Sequence, residues 1–175
     1  MKVTLISTYE LGRQPFVVAS AAAWLRARGH QVIYIDTSRQ SFPLEAVCQS
    51  DLIAFYLPMH TATRLAVPLI RRVRENKPNA NICCYGLYAP MNEPFLRGLG
   101  VSHILGGEFE AALENLADGH ANETPLVPLP RLQFLLPDRS QFPVLSSYAT
   151  LSAGGSTKIA RARGRESESD SSASC

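Results

Sequence analysis

The chain has 175 residues, 46% of them hydrophobic and 18% charged, and a formal net charge of +2 at pH 7. That suffices for one ordinary core without metal or disulfide staples, and it gives too little positive charge to suggest a nucleic-acid surface. Met1 and Lys2 lead directly into a short strand pattern, and no apolar stretch approaches the ~20 residues needed to cross a bilayer, so a cytoplasmic protein without nucleic-acid or membrane partners is expected.

In chain order, residues 3–7 predict a first strand and residues 15–28 a helix that starts at Pro15 and stops at Gly29. Trp24 in that helix reads most simply as a core aromatic. Residues 31–36 predict a second strand, 44–49 a short helix, and 51–57 a third strand whose near-continuous apolar run suits a parallel sheet covered on both faces. Residues 61–77 form a helix with Leu65, Leu69 and Val73 on its inner face and Arg64, Arg71, Arg72 and Arg74 toward water. Residues 81–85 are a fourth strand, 90–97 a helix closed by Gly98 and Gly100, and 102–105 a fifth strand. A last helix over 108–118 buries Phe109, Ala112, Leu113 and Leu116 and turns Glu108, Glu110 and Glu114 elsewhere. Strict alternation of strand and helix predicts an α/β, doubly wound, five-stranded parallel sheet of order 2-1-3-4-5 over residues 1–122.

From residue 123 the prolines Pro125, Pro128, Pro130, Pro137 and Pro143 alternate with leucines, which predicts a linker over 123–153 that packs on this domain or on a partner. Residues 154–175, rich in serine and charge, predict a disordered tail. Cys48, Cys83, Cys84 and Cys175 lack any metal-binding spacing, and Cys83 and Cys84 point to opposite faces of one strand, so both read as structural.

In a doubly wound sheet ligands bind outside the carboxyl ends of the strands. Those loops are Ser7-Thr8-Tyr9-Glu10-Leu11-Gly12, Tyr56-Leu57-Pro58-Met59-His60-Thr61-Ala62-Thr63, Gly86-Leu87-Tyr88-Ala89-Pro90 and the Gly106-Gly107 turn before Glu108. Together they predict a broad, mostly apolar rim with a few hydroxyls, suited to a large flat ligand with polar edges. No dinucleotide Gly-x-Gly-x-x-Gly follows the first strand, the acidic cluster of a phospho-acceptor domain is missing, and Ser7, Thr8 and Gly12 make only a thin phosphate loop. His60 has no second ligand nearby and reads as a hydrogen-bonding residue at a helix start, and no nucleophile triad or paired catalytic carboxylates are visible.

The segments Asp51 to Thr63, Tyr85 to Ala89 and Leu105 to Glu110 resemble the N-terminal cobalamin-binding domain of B12-dependent radical SAM enzymes, a likeness that covers about residues 1–120. The resemblance implies a flavodoxin-like fold holding the corrin ring and nucleotide tail of cobalamin at the strand carboxyl ends. The residues it implies are Thr8, Tyr9 and Gly12 after strand 1, Leu57, Pro58, Met59, His60 and Thr61 after strand 3, Gly86 and Tyr88 after strand 4, and Gly106, Gly107 and Glu108 after strand 5. Tyr9 stands where classical cobalamin domains carry a ligating histidine. The family's next domain, a barrel with a [4Fe-4S] cluster and S-adenosylmethionine, is absent from this sequence, so a truncated or frameshifted product is expected, with no catalysis of its own. The proline- and leucine-rich linker would meet that barrel or another protein, and the alternative is a non-catalytic interaction domain with a vestigial cofactor site.

Overall fold

Five strands, each a run of β-branched and apolar residues too short to cross a domain alone, pair side by side and bury both faces. The computed structural model describes residues 1–120 and 135–148. The strands β1 (Lys2–Ser7), β2 (Gln31–Asp36), β3 (Leu52–Tyr56), β4 (Ile82–Tyr85) and β5 (His103–Leu105) form one parallel sheet of order β2-β1-β3-β4-β5. The helices α1 (Phe16–Ala27) and α6 (Glu110–Ala117) pack on one face, and α2 (Leu44–Cys48), α3 (His60–Asn76), α4 (Tyr88–Met91) and α5 (Glu93–Gly98) lie on the other. The predicted architecture and strand order are those observed. Residues 121–122 of the expected domain, residues 123–134 and 149–153 of the expected linker, and the tail expected over 154–175 lie outside the described residues.

Strand alternation divides the core in two. Leu5, Tyr34, Ala54, Cys83 and Leu105 face α1 and α6, whereas Ile6, Ile35, Phe55, Cys84 and Ile104 face α3. Cys83 and Cys84 therefore do point apart, and burial pushes both thiols up, as expected of inert packing residues.

Four local expectations change. Trp24 is half-buried rather than a core residue, because Ala19, Ala21 and Ala22 bring α1 close to the sheet and leave an indole only the helix flank. On α3 the buried positions are Ala62, Thr63, Ala66, Ile70 and Val73, so Leu65 is exposed and Leu69 half-buried. Glu114 is buried, since α6 lies along α1 and Arg28 reaches it at 2.5 Å. The helix expected over residues 90–97 is two helices. Pro94 has no N–H to give the Pro90 carbonyl, and the chain breaks at Asn92, whose side-chain amide donates to the Tyr88 carbonyl at 2.7 Å.

Gly86 closes the sheet's carboxyl edge. Its φ is +106°, and a Cβ there would lie 3.0 Å from both the Leu57 carbonyl oxygen and the Tyr56 ring. The same few residues hold the edge by backbone hydrogen bonds, from Gly86 N–H to the Leu105 carbonyl (3.1 Å) and from Tyr88 N–H to the Leu57 carbonyl (3.0 Å). Gly86→Ala is expected to lower unfolding free energy by about 2–3 kcal/mol, through positive φ and a backbone clash together. Urea denaturation checks this.

Candidate functional site

The parallel register ends β1 to β5 in a single row. Ser7 pairs with Asp36 on one side and Tyr56 on the other, Tyr56 pairs with Tyr85, and Tyr85 with Leu105. Because Leu5, Tyr34, Ala54, Cys83 and Leu105 belong to the α1/α6 face, the period of two puts Ser7, Asp36, Tyr56 and Tyr85 on that face as well. The carboxyl edge thus carries four polar side chains where the rows beneath are apolar.

Asp36 is fully buried and well supplied with donors. Its Oδ1 accepts from the Ser38 amide (2.9 Å) and hydroxyl (2.6 Å), and its Oδ2 accepts from the Tyr148 hydroxyl (2.6 Å). The rest of the row is different. Ser7 Oγ, the Tyr85 hydroxyl and Oε2 of the overlying Glu10 are buried with no hydrogen-bond partner among the described residues. Each such group costs about 1–3 kcal/mol in desolvation. Tyr56, Tyr85 and Phe109 form an aromatic cluster with ring centroids 4.8–6.3 Å apart. At the head of α6, Glu110 accepts from the Ser20 hydroxyl of α1 at 3.2 Å. Burial first, then the charge of Asp36, raises the Glu10 carboxyl above its ordinary range. Burial also raises the Tyr56 and Tyr85 phenols, with Glu10 and Glu110 adding to it.

Above the row the rim is apolar. Glu10-Leu11-Gly12-Arg13 is a tight turn closed by Arg13 N–H to the Glu10 carbonyl at 2.8 Å, with Leu11 at φ +51° and Gly12 at φ +74°. Left-handed backbone costs a leucine about 1–2 kcal/mol, and it leaves the Leu11 side chain 63% exposed. After β4, Leu87 is 70% exposed and Met91 69%. Phe16 at the head of α1 and Leu65 on α3 are also exposed.

All four loops expected to carry site residues meet this edge, but they divide between the faces. Thr8 and Tyr9 line a groove of about 410 Å³ with Thr37, Phe42, Leu65 and Leu69, on the α3 side. Thr8 is itself tied down, donating to the Ala62 carbonyl at 2.8 Å. Gly12 occupies the strained turn. Leu57 is wholly buried, Pro58 and Met59 are half-buried, and His60 and Thr61 are exposed at the first turn of α3. No hydroxyl caps that helix; Thr63 instead donates back to the Met59 carbonyl at 3.0 Å. Gly86 serves backbone packing, and Tyr88 packs half-buried against the α3-side core. Gly106 is buried, while Gly107, at φ +62°, and Glu108 are exposed ahead of α6. Among the described residues no group of three or more His, Cys, Asp or Glu side chains could hold a metal, and no helix is long and apolar enough to cross a membrane.

Residues 135–148, part of the linker expected over 123–153, pack on this domain as a strap. Asp138 pairs with Arg26, its amide donates to the Ala19 carbonyl at 3.0 Å, and a hydrogen bond from the Ser140 amide holds its carboxyl down to about 2. The Gln141 side-chain oxygen accepts from the Tyr34 amide at 3.3 Å, and Phe142 stacks on Tyr34 at 3.9 Å. Tyr148, beneath the Arg39 guanidinium, then reaches Asp36 in the terminal row.

No family model and no curated protein matches the chain. Solved structures do. The solution structure of two-electron reduced Megasphaera elsdenii flavodoxin aligns with a TM-score of 0.53 at 13% identity, over 66% of this chain and 98% of that one. A flavodoxin from the domain Archaea aligns with a TM-score of 0.50 at 10% identity, over 68% of this chain and 98% of that one. The chain has a flavodoxin-like fold. At these identities the likeness is one of fold alone.

Burial raises the phenols of Tyr34 and Tyr148 too, with Asp36 adding to both. Above pH 10 the unfolded chain releases phenolic protons that the folded chain keeps, so stability falls as pH rises through that range. In an absorbance titration the tyrosinate signal of Tyr34, Tyr56, Tyr85 and Tyr148 is expected to appear only together with loss of the folded circular dichroism spectrum.

Proposed function

We propose that this chain is a cobalamin-binding module of the kind that serves a radical SAM enzyme. The observation that carries the reading is the apolar rim at the sheet's carboxyl edge, where Leu11, Phe16, Leu65, Leu87 and Met91 stay exposed around a polar row. Large apolar side chains left exposed at a sheet's carboxyl edge point to a ligand or partner site, and a strained turn that keeps Leu11 in solvent argues for use rather than accident.

The residues fit the group. A corrin is a wide macrocycle with an apolar face and a polar fringe, and the exposed Leu11, Leu87 and Met91 would offer it apolar support. Gly107 at the head of α6 keeps side chains out of the way at the last turn of the edge. When bound, cobalamin would supply a cobalt centre able to carry an alkyl group; Tyr9, half-buried in the groove on the α3 side, stands where classical cobalamin domains carry a histidine. This chain's part is to hold and orient the cofactor. A barrel carrying the [4Fe-4S] cluster and S-adenosylmethionine would meet it at the same edge, to which the strap brings the chain at Tyr148.

Purified protein incubated with hydroxocobalamin is expected to keep a corrin absorption spectrum through gel filtration. A colourless peak would assign the rim to a protein partner instead. Leu11→Asn is expected to leave stability unchanged or raised by up to about 1 kcal/mol, because asparagine tolerates left-handed backbone, while lowering cobalamin retention. Leu87→Glu should weaken retention roughly tenfold or more, one charge facing an apolar ring being costly to desolvate. Thermal melts and spectrophotometric titration separate the two effects.

A further inference from the structure

We propose that residues 135–148 act as a removable brace on the loop between β1 and α1, so that docking of the strap and order in the rim turn at Leu11 rise and fall together. None of these residues is buried. Asp138 on Arg26, Gln141 on the Tyr34 amide and Phe142 on the Tyr34 ring hold the strap against α1 and β2. A segment held by part-exposed polar contacts and an aromatic stack opens well before the core does.

From that position the strap also reaches the β1–α1 loop. Arg39 lies over the Tyr148 ring at 4.8 Å and donates to the Gly12 carbonyl at 3.2 Å, so one guanidinium joins the strap's end to the left-handed turn. Tyr148 is itself fixed by its hydrogen bond to the buried Asp36. Further along, the Gln14 side-chain amide donates to the Pro143 carbonyl at 3.4 Å, and the Arg139 guanidinium lies 6.0 Å from the centre of the Phe16 ring. The second half of the loop thus leans on the strap. Left-handed backbone is unfavourable for leucine, and Leu11, Gly12 and Arg13 are all exposed, so the turn depends on what holds it from outside. The docked strap supplies that hold. By linkage, a partner that lifts the strap loosens the rim, and a ligand that needs the ordered turn keeps the strap down.

The test compares the full chain with Asp138→Ala, a change that lies away from the loop, and with Tyr148→Ala, which removes the ring beneath Arg39. Hydrogen exchange at the Tyr34 amide, held by Gln141 of the strap, reads docking, and amide nitrogen relaxation at Leu11, Gly12 and Arg13 reads the turn. No ligand enters, so the brace stands or falls apart from the cobalamin reading. Asp138→Ala is expected to speed Tyr34 exchange roughly fivefold, the scale of a part-exposed ion pair, and to lower the order parameters of the turn. Tyr148→Ala should take them from the rigid range of about 0.85 to about 0.6, with Tyr148→Phe, which keeps the ring, between it and wild type. Thermal melts and the exchange of β1 amides confirm that each variant is folded. A change at Tyr34 alone in Asp138→Ala, or an unchanged turn in Tyr148→Ala, overturns the brace. Wild-type exchange at Tyr34 in Asp138→Ala overturns the strap as a segment that lifts.

Discussion

A parallel sheet in strict register brings the last residue of every strand into one line, and the rest of this structure is arranged around that line. Ser7, Asp36, Tyr56, Tyr85 and Leu105 share a face because five strands end in step. Below them the face is apolar and can be sealed by α1, whose alanines allow close approach, and by α6. At the line itself the polar residues are buried too, under the loops that leave the strand ends. Open α/β sheets bind their ligands among such loops, outside the carboxyl ends of the strands.

The same edge inverts the ordinary placement of side chains. Hydroxyl and carboxylate oxygens are buried without partners, while leucine, methionine and phenylalanine lie in water a few residues away. Either alone would be unremarkable, since scattered apolar residues are common on surfaces and single unsatisfied oxygens occur in most proteins. Their coincidence toward one edge of the sheet, with Leu11 in left-handed backbone among them, is a local departure from what stability favours, and such departures gather where a protein binds something. The two buried acidic residues among those described are satisfied. Glu114 is buried but paired, and Asp36 is buried but supplied with three donors.

The element order was legible because each signal was local: apolar runs of strand length, Pro15 at the head of α1, and Gly29 beyond its end. What failed was whatever depended on how closely elements approach. The α3 stripe looked like leucine from composition, but the helix packs through Ala62 and Ala66 because small residues let it approach the sheet, which turns Leu65 out toward the rim. Pro94 was overlooked as a break because Gly98 looked like the stronger stop. The four edge loops were legible from topology, yet the polar row was not, although its signal was present: Ser7, Asp36, Tyr56 and Tyr85 each occupy the last position of a strand. Reading each strand by itself hid what the register lines up, and the burial of their hydroxyls could emerge only with α1 and α6 in place.

The strap resolves a liability that the topology creates. β2 is an edge strand, and the Tyr34 amide on its outer side would otherwise be open to pairing with another chain. A glutamine side chain takes that amide, and an aromatic ring covers the tyrosine beside it, a stack worth about 0.5–1.5 kcal/mol beyond its buried area. Neither contact is a strand, so the cover lies across the sheet edge without extending the sheet. Because its last hydrogen bond is to Asp36, the cover is anchored in the terminal row itself. Protecting the edge and bringing the chain to the ligand end are thus one structural act. A disturbance at either end of the strap, at Asp138 or at Tyr148, is felt by the same β2 strand that helps to build the site.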